Sequence, residues 1–407
     1  MAHNTNITPT KVHKDSKLGV IPEGWNVFKF KDVAKFNPKS DVLPEKFIYV
    51  DLESVKDGKL QHENIVFKKN APSRAQRLLK KGDILFQTVR PYQKNNLLFD
   101  HSGDYVASTG YAQIRVKTCG SFIYQLLYSN YVINQVMARC TGTSFPAISS
   151  KDLSKISIKL PPLPEQQKIA KILSVWDKAI TKQDALIAQK QHLKKGLMQQ
   201  LLTGKKRLSG FDGEWEEVRI GDISKSFSGG TPSSKNRDYY DGHIHWIKSG
   251  ELNQVRIRDT EDFISELGLK NSSAKIVEPN TLLVAMYGAT AGVCAITEIK
   301  GAINQAVLAI VPFEKIDNTF LFQKLRMKMP SIVHAMTQGG QPNLSGGIIK
   351  NVKIKIPEIK EQQKIAAVLT AADQEITALQ EQLRQLKTQK QGLMQVLLTG
   401  KIRVKIN

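Results

Sequence analysis

The stretch EQQKIAKIL, which begins at Glu165, returns as EQQKIAAVL at Glu361, 196 residues later. The likeness extends in both directions. LMQQLLTGKKR from Leu197 faces LMQVLLTGKIR from Leu393, and KLPPLP from Lys159 faces KIPEIK from Lys355. About half of the positions between 165 and 208 match without a gap, so the chain carries a duplicated unit. Any fold must place this unit twice.

The unit has helical periodicity. In the second copy Leu369, Ala372, Ile376, Leu379, Leu383, Leu386, Leu393 and Leu397 recur at steps of three and four, interrupted by Lys390. This is a heptad seam on a helix without internal proline. The first copy keeps the seam through Leu173, Trp176, Ile180, Ile187, Leu197 and Leu201, with polar breaks at Gln183, Lys190 and Lys194. Prolines in PPLPEQQ mark the start, and the acidic residue behind them suits a helix N-terminus. LLTGK marks the stop, with Gly204 and Gly400 as left-handed caps. Each helix is expected to run about 38 residues, ~57 Å at 1.5 Å per residue. A seam that long needs a mate, and antiparallel pairing of the two copies supplies one. The alternative is two separate helices, each packed on its own domain.

Between the copies lie two blocks of α+β character. KFIYV (Lys46–Val50), GDILF (Gly82–Phe86), YAQIRV (Tyr111–Val116), TLLVAMY (Thr281–Tyr287) and AVLAIV (Ala306–Val311) read as strands bounded by turn residues. Helices are expected over Ser121–Cys140 and Asn318–Met336. The order of elements is shared between the blocks while local sequence is not. The expected division is a flexible tail over 1–17, mixed domains over 18–158 and 209–354, and helical spacers over 159–208 and 355–407.

Charge points to a partner. A net +22 over 407 residues is either offset by an anionic partner or tolerated as self-repulsion, and nucleic acid is the commonest such partner. Half of the excess lies before residue 161, where 24 basic side chains face 13 acidic ones. Three scattered cysteines (Cys119, Cys140, Cys294) suit neither a disulfide framework nor a zinc cage. No apolar run reaches the roughly 20 residues of a membrane span, so no membrane partner and a cytoplasmic location are expected.

At this point the residues resemble a known family. GWNVFKFKDVAKF (Gly24–Phe36) and EWEEVRIGDISKSFSGGTPSS (Glu214–Ser234) resemble the opening of a target recognition domain. TQGGQPNLSGGIIKNVKIKIPEIKEQQKIAAVL, followed by LMQVLLTGKIR, resembles its close and the helix behind it. The arrangement from about residue 20 onward is similar to the specificity subunit of Type I restriction–modification systems. In the first half TGTSFPAISSKDLSKI lacks the double glycine, and FNPKSDVLPEK replaces the Ser-Gly-Gly-Thr-Pro stretch. The resemblance implies two target recognition domains joined by two long antiparallel helices in an intramolecular coiled coil. It implies that each domain reads one half of a split, asymmetric site on double-stranded DNA. It also implies that the helices dock two methyltransferase subunits, which bring S-adenosylmethionine and the catalytic residues, and that motor–nuclease subunits join for restriction. This chain itself would catalyse nothing and bind no cofactor or metal.

A ~57 Å rod spans about one and a half turns of B-DNA at about 34–36 Å per turn, which suits a bipartite site with an unread spacer. Phosphate contacts are expected from the cationic run Lys68, Lys69, Arg74, Arg77, Lys80 and Lys81. Further candidates are Thr141, Thr143, Ser144, Gln338, Gly339, Gly340, Gln341 and Asn343, on the loops that close each block. Those loops are equally readable as plain turns into a last strand. Base-edge candidates are Gln87, Arg90, Tyr92, Gln93 and Lys94 in the first block. In the second they are Ser228, Thr231, Ser233, Lys235, Asn236, Arg237, Lys248, Tyr287 and Thr290.

Rival classes fit less well. His243 and His245 sit two apart as metal ligands would, but no further ligand completes the set. GGTPSSK lacks the spacing of a phosphate-binding loop. A methyltransferase would need a glycine-rich cofactor loop and an Asn/Asp-Pro-Pro-aromatic run, and neither is present. A free-standing DNA-binding regulator or scaffold with two unlike reading domains is the alternative.

Overall fold

The computed structural model describes residues 7–9, 12–40, 42–336 and 343–406. Its internal contacts divide the chain into two units, Met1–Asp184 with Glu381–Asn407, and Ala185–Gln380.

The first unit is built on two four-stranded sheets. Strands β1 (Ala34–Phe36), β2 (Lys46–Val50), β3 (Asn64–Phe67) and β4 (Ala75–Leu78) are followed by β5 (Ile84–Gln87), β6 (Leu97–Leu98), β7 (Tyr105–Ser108) and β8 (Tyr111–Val116). One sheet has the order β4-β7-β2-β3, with β7 and β2 parallel; the other has the order β6-β5-β8-β1, antiparallel throughout. β5 is buried along its whole length, which explains its unbroken apolar run. A buried Asp83 precedes it, accepting from Arg115 Nε at 2.7 Å and from Gln113 Nε2 at 2.7 Å.

The second unit repeats this plan. Its strands are β9 (Ser224–Ser228), β10 (Tyr240–Ile247), β11 (Arg256–Ile257), β12 (Phe263–Ile264), β13 (Lys275–Val277), β14 (Leu282–Ala285), β15 (Cys294–Thr297), β16 (Gly301–Ile303) and β17 (Val307–Pro312). The orders β9-β17-β14-β15-β11 and β12-β10-β16-β13 repeat those of the first unit, with β10 and β16 parallel as β2 and β7 are, and with β11 added parallel to β15 at one edge. Hence the shared element order read from the sequence is a shared topology.

The expected helix over Ser121–Cys140 is two helices, Gly120–Leu126 and Asn130–Met137. Ser129 breaks it: its backbone is extended (φ −68, ψ 142) and its hydroxyl donates to the Leu126 carbonyl at 2.6 Å, competing with the helical ladder. Asn318–Met336 is a single helix. The expected tail is partly paired, since Ile7–Pro9 lies antiparallel to Ile402–Val404 and His13–Lys14 to Ile21–Pro22.

Both copies of the duplicated unit are continuous helices of 39 residues, Leu163–Leu201 and Ile359–Leu397. Each stops at a glycine in the left-handed region, Gly204 at φ +73 and Gly400 at φ +76. In the first unit the opening half of the first helix lies antiparallel to the closing half of the second. Ile169 and Leu173 share a core with Met394 and Leu397, and also with Trp25, Phe30, Phe86 and Phe122. In the second unit Leu201 packs with Ile365 and Leu369 beside Leu282, Phe320 and Leu325. Pairing and packing on the sheets are therefore one core in each unit. Along the seam Leu173, Ile187, Leu201, Leu369, Ile376 and Leu397 are buried, and Trp176, Ile180, Leu197, Leu379, Leu383, Leu386 and Leu393 are half-buried.

The polar breaks in the seam face each other. Lys390 reaches Asp177 at 2.6 Å, and Gln183 donates to Gln382 at 3.2 Å, both in the first unit. In the second, Lys190 pairs with Glu375 at 2.6 Å and Lys194 with Asp373 at 2.5 Å. Gln125 donates to Asp177 at 2.6 Å and Gln323 to Asp373 at 2.8 Å, tying each helix pair to its neighbouring helix. The glutamate that opens each helix does more than face a dipole. Glu165 is fully buried and grips Arg403 through two bonds of 3.0 and 2.6 Å. Glu361, equally buried, grips Arg207 through two bonds of 2.7 Å. The residues EQQ and GKxR repeat because one clasps the other across the pair.

Candidate nucleic-acid interface

In each unit, backbone hydrogen bonds gather several loops at one end of the sheet built around β5 in the first unit and β14 in the second. In the first unit the loop after β5 meets the loop 141–148: Ile148 N donates to Thr88 O at 3.0 Å and Arg90 N to Pro146 O at 2.7 Å, with a bridge from Val89 to Ala147. Thr88 N also donates to Gly110 O, and Thr109 N to Arg74 O, so the turn before β8 and the approach to β4 join the same group. The corresponding loops meet in the second unit. Leu344 N donates to Met286 O at 2.8 Å, Met286 N to Ala306 O at 2.8 Å, Gly229 N to Asn304 O at 3.3 Å, and Tyr287 bridges Asn343. Gly229 is required here, since a Cβ would lie 1.8 Å from the Ile303 carbonyl oxygen.

Many candidates read from the sequence fall on these loops. Arg74, Tyr92, Thr141, Thr143 and Ser144 are exposed in the first unit, and Ser233, Lys235, Arg237, Tyr287 and Asn343 in the second. Gln93 is exposed and Asn236 and Thr290 are half-buried. Gln338, Gly339, Gly340 and Gln341 lie outside the described residues. Exposed hydroxyls, amides and cations on adjoining loops are the donor set that phosphate and base edges require.

Several candidates have other employment. Gln87 is buried: its amide donates to Val89 O at 2.7 Å and to Gln93 Oε1 at 2.9 Å, and its oxygen accepts from Asn95 N at 3.2 Å. It shapes the loop from beneath instead of offering itself to DNA. Lys248 is held by Asp262, which raises its pKa, and so brings no uncompensated charge. Thr231 donates to Gln305, Ser228 is half-buried within β9, and Lys94 donates to the Tyr128 carbonyl at 3.3 Å. Arg77 is half-buried, and desolvation lowers its pKa. The cationic run is dense in sequence but dispersed in space. Lys68 and Lys69 follow β3 at one edge of the sheet, whereas β4, which carries Arg77, is the opposite edge. Lys68 lies 3.5 Å from Glu45 and Lys81 2.8 Å from Asp100; Lys69 and Lys80 are exposed. His243 lies 3.3 Å from Glu266, and His245 Nδ1 lies 3.1 Å from Thr260 Oγ1.

Sequence reading missed two groups. One is the set of reciprocal clasps, whose signal was the identity of Glu165 with Glu361, Asp177 with Asp373, Lys194 with Lys390 and Arg207 with Arg403 at a single offset. The other is Phe145, 61% exposed at the tip of its loop with Arg90 over its ring.

A repeated scaffold with unlike loops defines a class of protein, and comparison with known proteins agrees. The family model described as Type I restriction modification DNA specificity domain matches twice, over residues 22–189 and 212–388. The chain belongs to that family. It is similar to the Type I restriction enzyme MjaVIII specificity subunit of Methanocaldococcus jannaschii, with 25% identity over 95% of this chain and 94% of that one. The HindI specificity subunit of Haemophilus influenzae is 25% identical over 78% of this chain and 82% of its own. Among solved structures, the S subunit of a Type I system from M. genitalium shares the fold at a TM-score of 0.60, 18% identity, covering 92% of this chain and 96% of that one. A chain from a structure of a type I R-M system, solved to explain its assembly and conformational transition, also gives 0.60, at 24% identity over 94% of this chain and 99% of that one. Among the described residues no helix is long and apolar enough to cross a membrane.

Proposed function

We propose that this chain is the DNA-specificity subunit of a Type I restriction–modification assembly. The carrying observation is the pair of units with one topology and unlike loop side chains, each matched by the DNA specificity family model. A repeated scaffold with different reading loops fits a bipartite, non-palindromic site on double-stranded DNA. The paired helices fit the role of setting the gap between the half-sites and of docking two methyltransferase subunits. Those subunits supply S-adenosylmethionine and the chemistry, motor–nuclease subunits join them for cleavage, and this chain contributes recognition without catalysis. Work on DNA fits a cytoplasmic location.

Co-expression with the methyltransferase subunit of the same host system, followed by single-molecule methylation mapping, tests the proposal. The expected result is one split, asymmetric methylated motif that vanishes without this chain, and a copurified complex of two methyltransferase subunits to one of this chain. A monomer that binds a single uninterrupted site tightly and copurifies with no methyltransferase would contradict it.

A further inference from the structure

Among the cations of the first unit, Arg90 is held in an unusual way. Its backbone lies in the left-handed region at φ +52, costly for a residue with a side chain and typical of functional loops. The position is pinned by Arg90 N to Pro146 O, by the Val89–Ala147 bridge, and by Gln87 beneath the loop. Its guanidinium carbon sits 4.2 Å from the centre of the Phe145 ring, and its Nε is buried without a hydrogen-bond partner. No carboxylate neutralises it among the described residues. Phe145, in turn, leaves 61% of its surface in water at the loop tip. A stacked arginine keeps its planar fork in one orientation, so less freedom is lost when it binds a planar, bidentate acceptor.

We propose that Arg90 and Phe145 together form a base-reading element of the first unit. Arg90 donates two hydrogen bonds to the O6 and N7 acceptors of one guanine in the major groove. Phe145 fixes the plane of the guanidinium and lays its exposed edge against the adjoining base. The fixed fork suits guanine, whereas phosphate needs only a point charge of the kind that the exposed Lys69 and Lys80 offer. In the corresponding loop of the second unit Tyr287 is exposed and no arginine follows it, so the two half-sites are read by different chemistry. This inference rests on the DNA-recognition reading and names the residues that would carry it in one half-site.

The test uses the full-length chain co-expressed with its methyltransferase subunits and presented with duplexes randomised across both half-sites. Glycine accepts the left-handed backbone without strain, so Arg90→Gly removes the side chain while leaving the loop unstressed. That variant should melt no lower than the unsubstituted chain, lose a guanine preference at one base pair by roughly 10- to 100-fold, and leave the other half-site intact. Phe145→Ala should weaken the preference at that same base pair, and Phe145→Tyr should retain it. A uniform loss over all sequences would make Arg90 a phosphate contact and overturn the proposal, as would an unchanged motif in both Arg90→Gly and Phe145→Ala. An unsubstituted complex with no sequence preference would instead overturn the function from which the proposal descends.

Discussion

At the scale of single residues, the fold depends on charged groups placed where charge is costly. Glu165 is fully buried, and Arg403 is the partner that makes its burial tolerable. Arg403→Ala should therefore destabilise the first unit by on the order of 3 kcal/mol, the low end for a broken buried pair because Arg403 is partly wet. Chemical denaturation of the full chain checks this, with Arg207→Ala expected to do the same to the second unit. Lys324 offers a second test. It is buried against Trp215 and Phe320 and donates to the Leu202 carbonyl near the end of the first long helix. Desolvation, then the neighbouring Lys328 and Lys355, push its pKa down to about 7. Because the folded chain holds this proton less tightly than the unfolded one, the buried charge destabilises fully below about pH 7 and its cost fades as pH rises towards 10.5. Stability should accordingly rise between pH 7 and 9, and Lys324→Met should reduce that slope in melts across the range. A third expectation concerns exposed charge. Replacing Lys80 and Lys81 with alanine should flatten the salt dependence of DNA binding about equally for all sequences, measured by binding at several salt concentrations. The effect of Lys81 should be the smaller, since Asp100 lies 2.8 Å from it.

At the scale of elements, the seam interruptions are the informative part. Asp177 with Lys390 and Asp373 with Lys194 are the same pair viewed from either copy. Such pairs fix the register of two long helices more than they stabilise them. Asp177→Lys should weaken pairing in the first unit, and adding Lys390→Asp should recover much of the loss, as a double-mutant cycle of melting would show. What the sequence revealed at this scale follows from its physics. KFIYV and YAQIRV are strands as read, and β5, β14 and β17 fall within two residues of the expected bounds, because buried strands carry dense apolar signals. Both long helices were legible from heptads and caps. The break at Ser129 was not, since one hydroxyl competing for a carbonyl leaves little periodic trace. The candidate loops were legible as loops, but not which of their side chains stay free. Gln87 has the right chemistry for a base and spends it on its own loop, whereas Phe145, apolar and exposed, had no pattern to announce it. The clasp residues look like breaks in one copy and become partners only when the two copies are compared.

At the scale of the whole molecule, duplication explains more than any single residue. One scaffold repeated with different loops separates what the two units share, the sheets and the clasped helices, from what differs between them, the loops. Each unit's core includes half of each long helix, so folding of the units and pairing of the helices are expected to be coupled. If helix length sets the gap between half-sites, inserting one heptad into each long helix beside Gln183 and Gln382 keeps the pairing and adds about 10 Å. Methylation mapping of that variant is the most direct test. We predict both half-sites unchanged and a spacer longer by about three base pairs; altered half-sites with an unchanged spacer would contradict the account.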